Sequence, residues 1–139
     1  MDKIHSMISM KVQRWLAPQP TSVRAVRDAL EELEGVVIDR RLDDLRLVVS
    51  ELVTNAVNHA ELGLNDLIGL GVAVEGSLIR VEATDPGVGF EKPSFSEPRD
   101  PQQQFGGMGL YLVDTLADSW GVDRKGNLNV TWLEMGNAL

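Results

Sequence analysis

Apolar residues recur at every second position in several segments of the chain, which predicts strands with one covered face. The first such segment runs from Lys3 to Val12 and is ended by Pro18 and Pro20. Four further segments show the same alternation and are paired by short turns at Glu75-Gly76-Ser77 and Lys125-Gly126-Asn127. They are Leu67 to Val74, Leu78 to Thr84, Ser119 to Arg124 and Leu128 to Met135.

Spacings of three and four predict helices between these strands. One helix begins at a Thr21 or Ser22 cap and runs to about Glu34, with Gly35 as its stop. A longer helix runs from about Asp39 to Ala60, and a short one from Gly109 to about Ala117. We expect one domain over residues 1–139, an α+β fold in which helices cover one face of a mixed, mostly antiparallel sheet. This is a two-layer α/β sandwich.

Composition narrows the possible chemistry. The formal net charge of the 139 residues is −8, which argues against general nucleic-acid or membrane-surface binding. Cysteine is absent and there are only two histidines, so thiol catalysis is excluded and a catalytic zinc site is disfavoured. No segment has the apolar length of a membrane span or the pattern of a signal peptide. We therefore expect a cytoplasmic protein.

The long helix carries an unusual polar group. At about 100° per residue, Glu51, Asn55 and Asn58 share one flank, with His59 beside them, while apolar residues occupy another. A solvated helix face explains any one of these residues, and a partly packed histidine is the simpler interpretation of His59. Asparagine is a mediocre helix former, however, and an amide oxygen one turn from a carboxylate suits a hydrated Mg²⁺ ion.

Glycine and proline are frequent from Asp85 to Gly109, where a long loop is predicted. Asp85-Pro86-Gly87-Val88-Gly89 directly follows a strand, and is either an ordinary turn or a place where a ligand approaches the backbone. Gly106-Gly107-Met108-Gly109-Leu110 precedes a helix, and is either a flexible loop end or an anion site at the helix N-terminus. The evidence for function is the order of the three motifs along the chain.

In this order the motifs resemble those of the ATP-binding fold shared by gyrase, histidine kinases and MutL, called the GHKL or Bergerat fold. Glu51 to Asn55 resembles its N box, Asp85 to Gly89 its first glycine box and Gly107 to Gly109 its second, with residues about 90–106 as the ATP lid. Within that fold, Ser50 to Ala60 most resembles bacterial anti-sigma factor serine kinases of partner-switching systems.

The resemblance implies a role for each residue. Glu51 would be the general base, and Asn55 would bind Mg²⁺ at the ATP phosphates. Asp85, helped by Gly89, would accept a hydrogen bond from the adenine amino group. Backbone amides at the second glycine box would hold the phosphates. The implied nucleotide-binding set is Asn55, Asn58, His59, Asp85, Gly87, Gly89, Gly107, Met108, Gly109 and Leu110.

It also implies an activity and partners. The protein would phosphorylate a STAS-type anti-anti-sigma protein and sequester a sigma factor, with Arg24 or Arg27 as the contact on the first helix. Lys92 and Arg99 are candidate γ-phosphate contacts in the lid. Kinases of this group commonly form homodimers, and the first strand's Met7, Met10 and Val12 fit either a dimer interface or the core.

Two other functions remain open at this level. One is a nucleotide-gated protein-binding switch with little or no kinase activity, in which ATP or ADP sets only the conformation. The other is the catalytic ATP-binding domain of a sensor histidine kinase. The 139 residues include no phosphoacceptor domain such as histidine kinases usually carry upstream, and the presence of Glu51 favours the serine kinase.

Overall fold

The computed structural model describes residues 10–92 and 107–139 of the chain. These residues form five strands and three α-helices, and a short 3-10 helix at Leu30–Leu33 extends the first α-helix. The elements are β1 (Met10–Leu16), α1 (Thr21–Ala29), α2 (Asp39–His59), β2 (Ile68–Glu75), β3 (Leu78–Asp85), α3 (Gly107–Leu116), β4 (Ser119–Lys125) and β5 (Leu128–Met135).

The strands form one sheet in the order β1-β2-β3-β5-β4, and every neighbouring pair is antiparallel. Apolar side chains from one face of this sheet and from the helices form a single buried cluster. The expected two-layer α/β sandwich is therefore confirmed, with a sheet that is antiparallel throughout its described strands. Among the described residues, no helix has the length and apolar character needed to cross a membrane.

Helix α2 is the central helix and closely matches its predicted bounds. It packs against α1 on one side and α3 on the other. Seven of its residues are buried at spacings of one and three, which explains why periodicity alone located it. The helix ends where Glu61 adopts a positive φ of 56°. The buried residues are Leu42, Leu45, Val48, Val49, Leu52, Val53 and Ala56.

The predicted start of α1 is wrong in its chemistry. The residue at the cap position is Pro20, and no side chain caps the helix. The Ser22 hydroxyl instead donates a 2.6 Å hydrogen bond back to the Ala17 carbonyl. The α-helix also stops at Ala29. The tighter 3-10 turn that follows eclipses residues three apart, so that Leu30 and Leu33 are both fully buried.

Strand β1 is described over Met10–Leu16 and continues beyond the predicted end at Val12. The alternation of apolar and polar residues is interrupted there, because the charged Arg14 occupies a core-facing position of this edge strand. Arg14 forms an ion pair with Glu32. Val12 is 1% exposed and belongs to the core, so it supplies no dimer interface. Met7 and the predicted start of the strand lie outside the described residues.

Two tryptophans cover glycines on the outer face of the sheet. Trp15 is 65% exposed and lies over its cross-strand partner Gly69, where an added Cβ would stand 2.8 Å from the indole. Trp132 lies over its partner Gly121 in the same way, with the Arg80 guanidinium 5.1 Å from the ring centroid. This face is opposite the helices and therefore opposite the site described next.

Candidate functional site

One flank of α2 faces a cleft between the helix layer and the ends of β3 and β5. Asn55 and His59 line this cleft with the apolar Leu52 and Ala56. Asn58, on the same helix, is exposed and is not among the lining residues. The helical pattern therefore brought Asn55 and His59 together as expected, while Asn58 faces solvent.

The loop after β3 docks onto the C-terminal end of α2. Asp85 is the last residue of β3 and accepts a 2.8 Å hydrogen bond at Oδ1 from the Gly87 amide. The Val88 amide in turn donates to the Ala60 carbonyl at 2.9 Å. Gly87 must be glycine for space, because a Cβ there would overlap the Ala60 carbonyl and come within 2.7 Å of Leu62. The first glycine motif is thus a built loop that holds Asp85 at the cleft.

Strand β5 contributes two polar residues that the sequence analysis missed, Asn129 and Thr131. Both are buried and both line the cleft. Asn129 donates hydrogen bonds from Nδ2 to Asp85 Oδ1 at 3.2 Å and to the Gly87 carbonyl at 2.6 Å. The sequence could have indicated them, since Asn129 and Thr131 lie at every second position in line with the core residues Leu133 and Met135 and therefore share their face of the strand.

The second glycine motif forms the first turn of α3 and lies against Glu51. A Cβ on Gly109 would overlap Glu51 Oε2 and stand 3.1 Å from Cδ, so the carboxylate rests on the glycine backbone. Gly107 and Met108 precede it in the same turn. The Leu110 side chain is fully buried in the core, so only its backbone is left to meet a ligand. The first backbone amides of α3 lack helical partners and carry the positive end of its dipole.

The cleft combines an apolar wall with few polar groups. Asn55 Nδ2 is buried without a hydrogen-bond partner, which is unusual for an amide and points to an acceptor that a ligand would supply. In the described part of the chain no group of three or more His, Asp or Glu side chains gathers to hold a metal ion. A cation at this site would therefore depend on Asn55 and on oxygens of the ligand. Eleven residues line the cleft: Leu52, Asn55, Ala56, His59, Ala60, Ala83, Asp85, Val88, Phe90, Asn129 and Thr131.

Lys92, a candidate γ-phosphate contact in the sequence, contacts Trp120 of β4 in the structure. Its ammonium donates to the Trp120 carbonyl at 2.9 Å and lies 4.7 Å from the centre of that indole ring. The Trp120 indole N–H donates to Asp114 on α3 at 2.8 Å. In this structure Lys92 therefore anchors the chain to β4. Arg99 and most of the predicted lid lie outside the described residues.

The two arginines proposed for partner contact lie on the exposed face of α1. Arg24 and Arg27 line a shallow groove with Asp28, Glu31 and Arg46. Arg46 is paired with Glu34 and Asp43, whereas the described residues offer no ion pair to Arg24 or Arg27. Two unpaired cations on a chain of net charge −8 make this groove a distinctive patch.

Comparison with known proteins places this geometry in a family. Residues 16–135 match the family described as histidine kinase-like ATPase domain. The match spans all of the described elements except β1, of which it includes only Leu16, and it includes every residue of the cleft.

Named relatives share this region. The chain is 33% identical over 96 residues to the serine-protein kinase RsbW of Oceanobacillus iheyensis, covering 60% of the chain and 59% of that protein. It is 29% identical over 121 residues to the serine-protein kinase RsbW of Halalkalibacterium halodurans, covering 72% of the chain and 74% of that protein. The anti-sigma F factor of Geobacillus stearothermophilus is 29% identical over 97 residues, 65% of each chain. The match to the Oceanobacillus protein spans little more than half of its length.

Solved structures share the fold. The RsbU and RsbW domains of a Mycobacterium tuberculosis protein superpose with a TM-score of 0.68 at 19% identity, over 91% of this chain and 32% of that one. The blue-light activated histidine kinase EL346 of Erythrobacter litoralis gives a TM-score of 0.57 at 20% identity, over 87% of this chain and 42% of that one.

Proposed function

Because the chain belongs to the histidine kinase-like ATPase domain family, we propose that it is an ATP-dependent serine/threonine-protein kinase and anti-sigma factor. It phosphorylates a STAS-type anti-anti-sigma protein and, when that partner is released, sequesters a sigma factor. Relatives named serine-protein kinase RsbW and anti-sigma F factor support this assignment. We place it in the cytoplasm, where sigma factors act.

The contact between Glu51 and Gly109 is the observation that carries the proposal. It brings a carboxylate to the N-terminal turn of α3, where backbone amides are suited to the phosphates of a nucleotide. A base beside the transferred phosphoryl group can orient a serine hydroxyl and accept its proton. Protein binding alone would not require a carboxylate at that place, and this favours a kinase over a nucleotide-gated switch.

Other residues bind different parts of the nucleotide. Asp85 accepts a hydrogen bond from the adenine amino group, and Leu52, Ala56 and Phe90 provide the apolar wall for the ring. Glycines 87 and 89 let the backbone of the loop approach the base. The amides of residues 107–110 hold the phosphates. His59 lines the same cleft.

Magnesium fits this donor set. Mg²⁺ prefers oxygen ligands, keeps several waters and is usually held by one or two side chains together with substrate phosphates. Asn55 would hold the ion through its Oδ1, while its unpartnered buried Nδ2 would donate to an oxygen of the nucleotide. The ion would neutralise phosphate charge, while Glu51 remains the residue that handles the proton.

The α1 groove is the proposed partner surface. Arg24 and Arg27 are exposed and unpaired within the described residues, so an acidic partner would not have to break an existing ion pair. Charge reversal of either arginine should abolish capture of the partner while ATP affinity stays within about twofold of wild type. A homodimer remains part of the proposal, and sedimentation at micromolar concentration with and without ATP tests it.

Nucleotide binding is tested by calorimetric titration with ATP and ADP, with and without Mg²⁺. We expect magnesium-dependent binding that Asn55→Ala and Asp85→Asn each weaken by about tenfold or more. Asn127→Ala, in the exposed β4–β5 turn, is the matched control and should bind as wild type does. A folded wild-type protein that binds neither nucleotide would refute both the kinase and the nucleotide-gated switch.

The reaction is tested with γ-labelled ATP and STAS proteins from the source genome. We expect transfer of a phosphate that is stable to acid and labile to base, which marks serine or threonine and excludes histidine. Glu51→Gln should abolish transfer while ATP affinity is retained, and Glu75→Gln, exposed at the end of β2, should transfer normally. If Glu51→Gln transfers normally, Glu51 is not the base. If wild type binds ATP but phosphorylates no partner that it binds, it is a nucleotide-gated switch.

A further inference from the structure

A polar network beneath the first glycine motif is the strongest feature that the proposed reaction leaves unused. Its centre is Asn129, a polar side chain only 4% exposed at the start of β5. Asn129 is the direct cross-strand partner of Asp85. Asn129 donates hydrogen bonds to Asp85 and to Gly87. It also lies against Gly89, where an added Cβ would stand 2.7 Å from Asn129 Oδ1.

Each polar atom of the Asn129 amide is used. Nδ2 donates to Asp85 Oδ1 at 3.2 Å and to the Gly87 carbonyl at 2.6 Å. Oδ1 accepts a 2.6 Å hydrogen bond from the Arg124 guanidinium, which also donates to the Gly87 carbonyl at 3.2 Å. A buried network whose members are all satisfied is rigid and holds a single geometry.

The network acts on one oxygen of Asp85. The Gly87 amide and the Asn129 amide both donate to Oδ1, and the described part of the chain brings no donor to Oδ2. Two donors on one oxygen fix the rotation of the carboxylate and leave Oδ2 available to accept a hydrogen bond from a ligand. A fixed acceptor selects for a donor on the ligand, since a buried acceptor left unpaired is costly.

We propose that Asn129 is a positioning residue that makes Asp85 selective for the exocyclic amino group of adenine, with Arg124 holding Asn129 from outside. This inference rests on the proposed function, in which the cleft binds the adenine of ATP. Inosine triphosphate differs from ATP in carrying a hydrogen on N1 and a carbonyl oxygen in place of the amino group. That oxygen cannot donate to Asp85, so the selectivity depends on how firmly the carboxylate is held.

The test compares ATP with inosine triphosphate in calorimetric titrations of wild type and variants. Wild type should bind ATP at least about tenfold more tightly than inosine triphosphate. Asn129→Asp keeps the side-chain shape and the acceptor for Arg124 but loses both donated hydrogen bonds. We expect it to lose about tenfold in ATP affinity, with little change for inosine triphosphate. Asn127→Ala is the control that should retain full selectivity.

Arg124→Met provides a second test that leaves the buried residue in place. Arg124 is exposed, and the loss of its guanidinium should reduce the ATP preference by a few fold without unfolding the domain. Circular dichroism melting checks each variant. If folded Asn129→Asp and Arg124→Met both keep the wild-type preference, the inference is wrong, as it is if wild type binds ATP and inosine triphosphate equally. Both of those results leave the ATP site intact, whereas binding of neither nucleotide by wild type would refute the proposed function itself.

Discussion

Gly109→Ala separates the stability of the domain from the chemistry proposed for it. The added methyl group would overlap Glu51 Oε2 and lie 3.1 Å from Cδ and 3.6 Å from Cγ. The obstacle is the free end of a flexible side chain, so Glu51 moves and the helices stay in place. A displacement of the carboxylate by about 1 Å restores normal contact, and a misplacement of that size lowers a positioned reaction by roughly 100-fold.

The same substitution should not destabilise the fold. Alanine in a helix is favoured over glycine by about 0.5–1 kcal/mol, which corresponds to a rise in melting temperature of about 2–4 °C for a domain of this size. We therefore expect a variant that melts at or above the wild-type temperature but transfers phosphate about 100-fold more slowly. Initial rates of transfer to a STAS protein and circular dichroism melting measure the two quantities.

A double-mutant cycle makes the test specific to Glu51. If Gly109→Ala acts by displacing that carboxylate, it should have no further effect on the transfer rate in a Glu51→Gln background. Gly71→Ala, where an added Cβ meets nothing within 4 Å, is the control for the substitution itself. A transfer rate for Gly109→Ala within about twofold of wild type would contradict the proposed placement of the base beside the phosphates.

Three further outcomes are expected. Gly87→Ala should lower the free energy of unfolding in urea by about 2–4 kcal/mol, because its Cβ meets the Ala60 backbone and breaks the hydrogen bonds of the loop; equal stability of Gly87→Ala and Gly71→Ala would contradict this. Lys92→Met should cost about 0.5–1 kcal/mol in the same assay, since it removes the cation from the Trp120 ring, and an unchanged midpoint would show that this contact adds nothing. ATP with Mg²⁺ at 100 times its dissociation constant should stabilise the wild-type protein by about 2.7 kcal/mol, and no shift in melting temperature would argue against binding.

Local patterns predicted the parts of this molecule that depend on neighbours in the chain. Helix α2 was found within a residue of its bounds because seven buried side chains repeat with its period. The two hairpins were found because strands alternate and glycine marks their turns, at Gly76 and Gly126, both of which have a φ of 61°. The glycine motifs were found for the same reason, as each lies directly beside an element with a clear pattern.

Features were missed where a residue distant in the sequence determines the contacts of a side chain. Strand β1 was cut short because Arg14 takes a core-facing position, where it forms an ion pair with Glu32, 18 residues away. The contact of Lys92 with the Trp120 ring was not predicted, because the charge is visible in the sequence and its neighbour in space is not. Periodicity contains no information on which side chains from different elements meet, so these contacts could not be predicted.

The Asp85–Asn129 pair shows why the cleft itself belongs to this second class. The two residues are 44 positions apart and meet only because β3 and β5 pair in one register, with Asp85 opposite Asn129. A slip of one residue would turn Asn129 toward the outer face and bring Val130, which alternates with the core-facing residues of β5, opposite the motif. The burial of Leu133 and Met135 on the same strand therefore fixes the register that places Asn129 under the first glycine motif. The orientation of the Asp85 carboxylate, proposed to read the base, is in this way set by the hydrophobic core, and core substitutions in β5 should weaken ATP selectivity in calorimetric titrations before they unfold the domain.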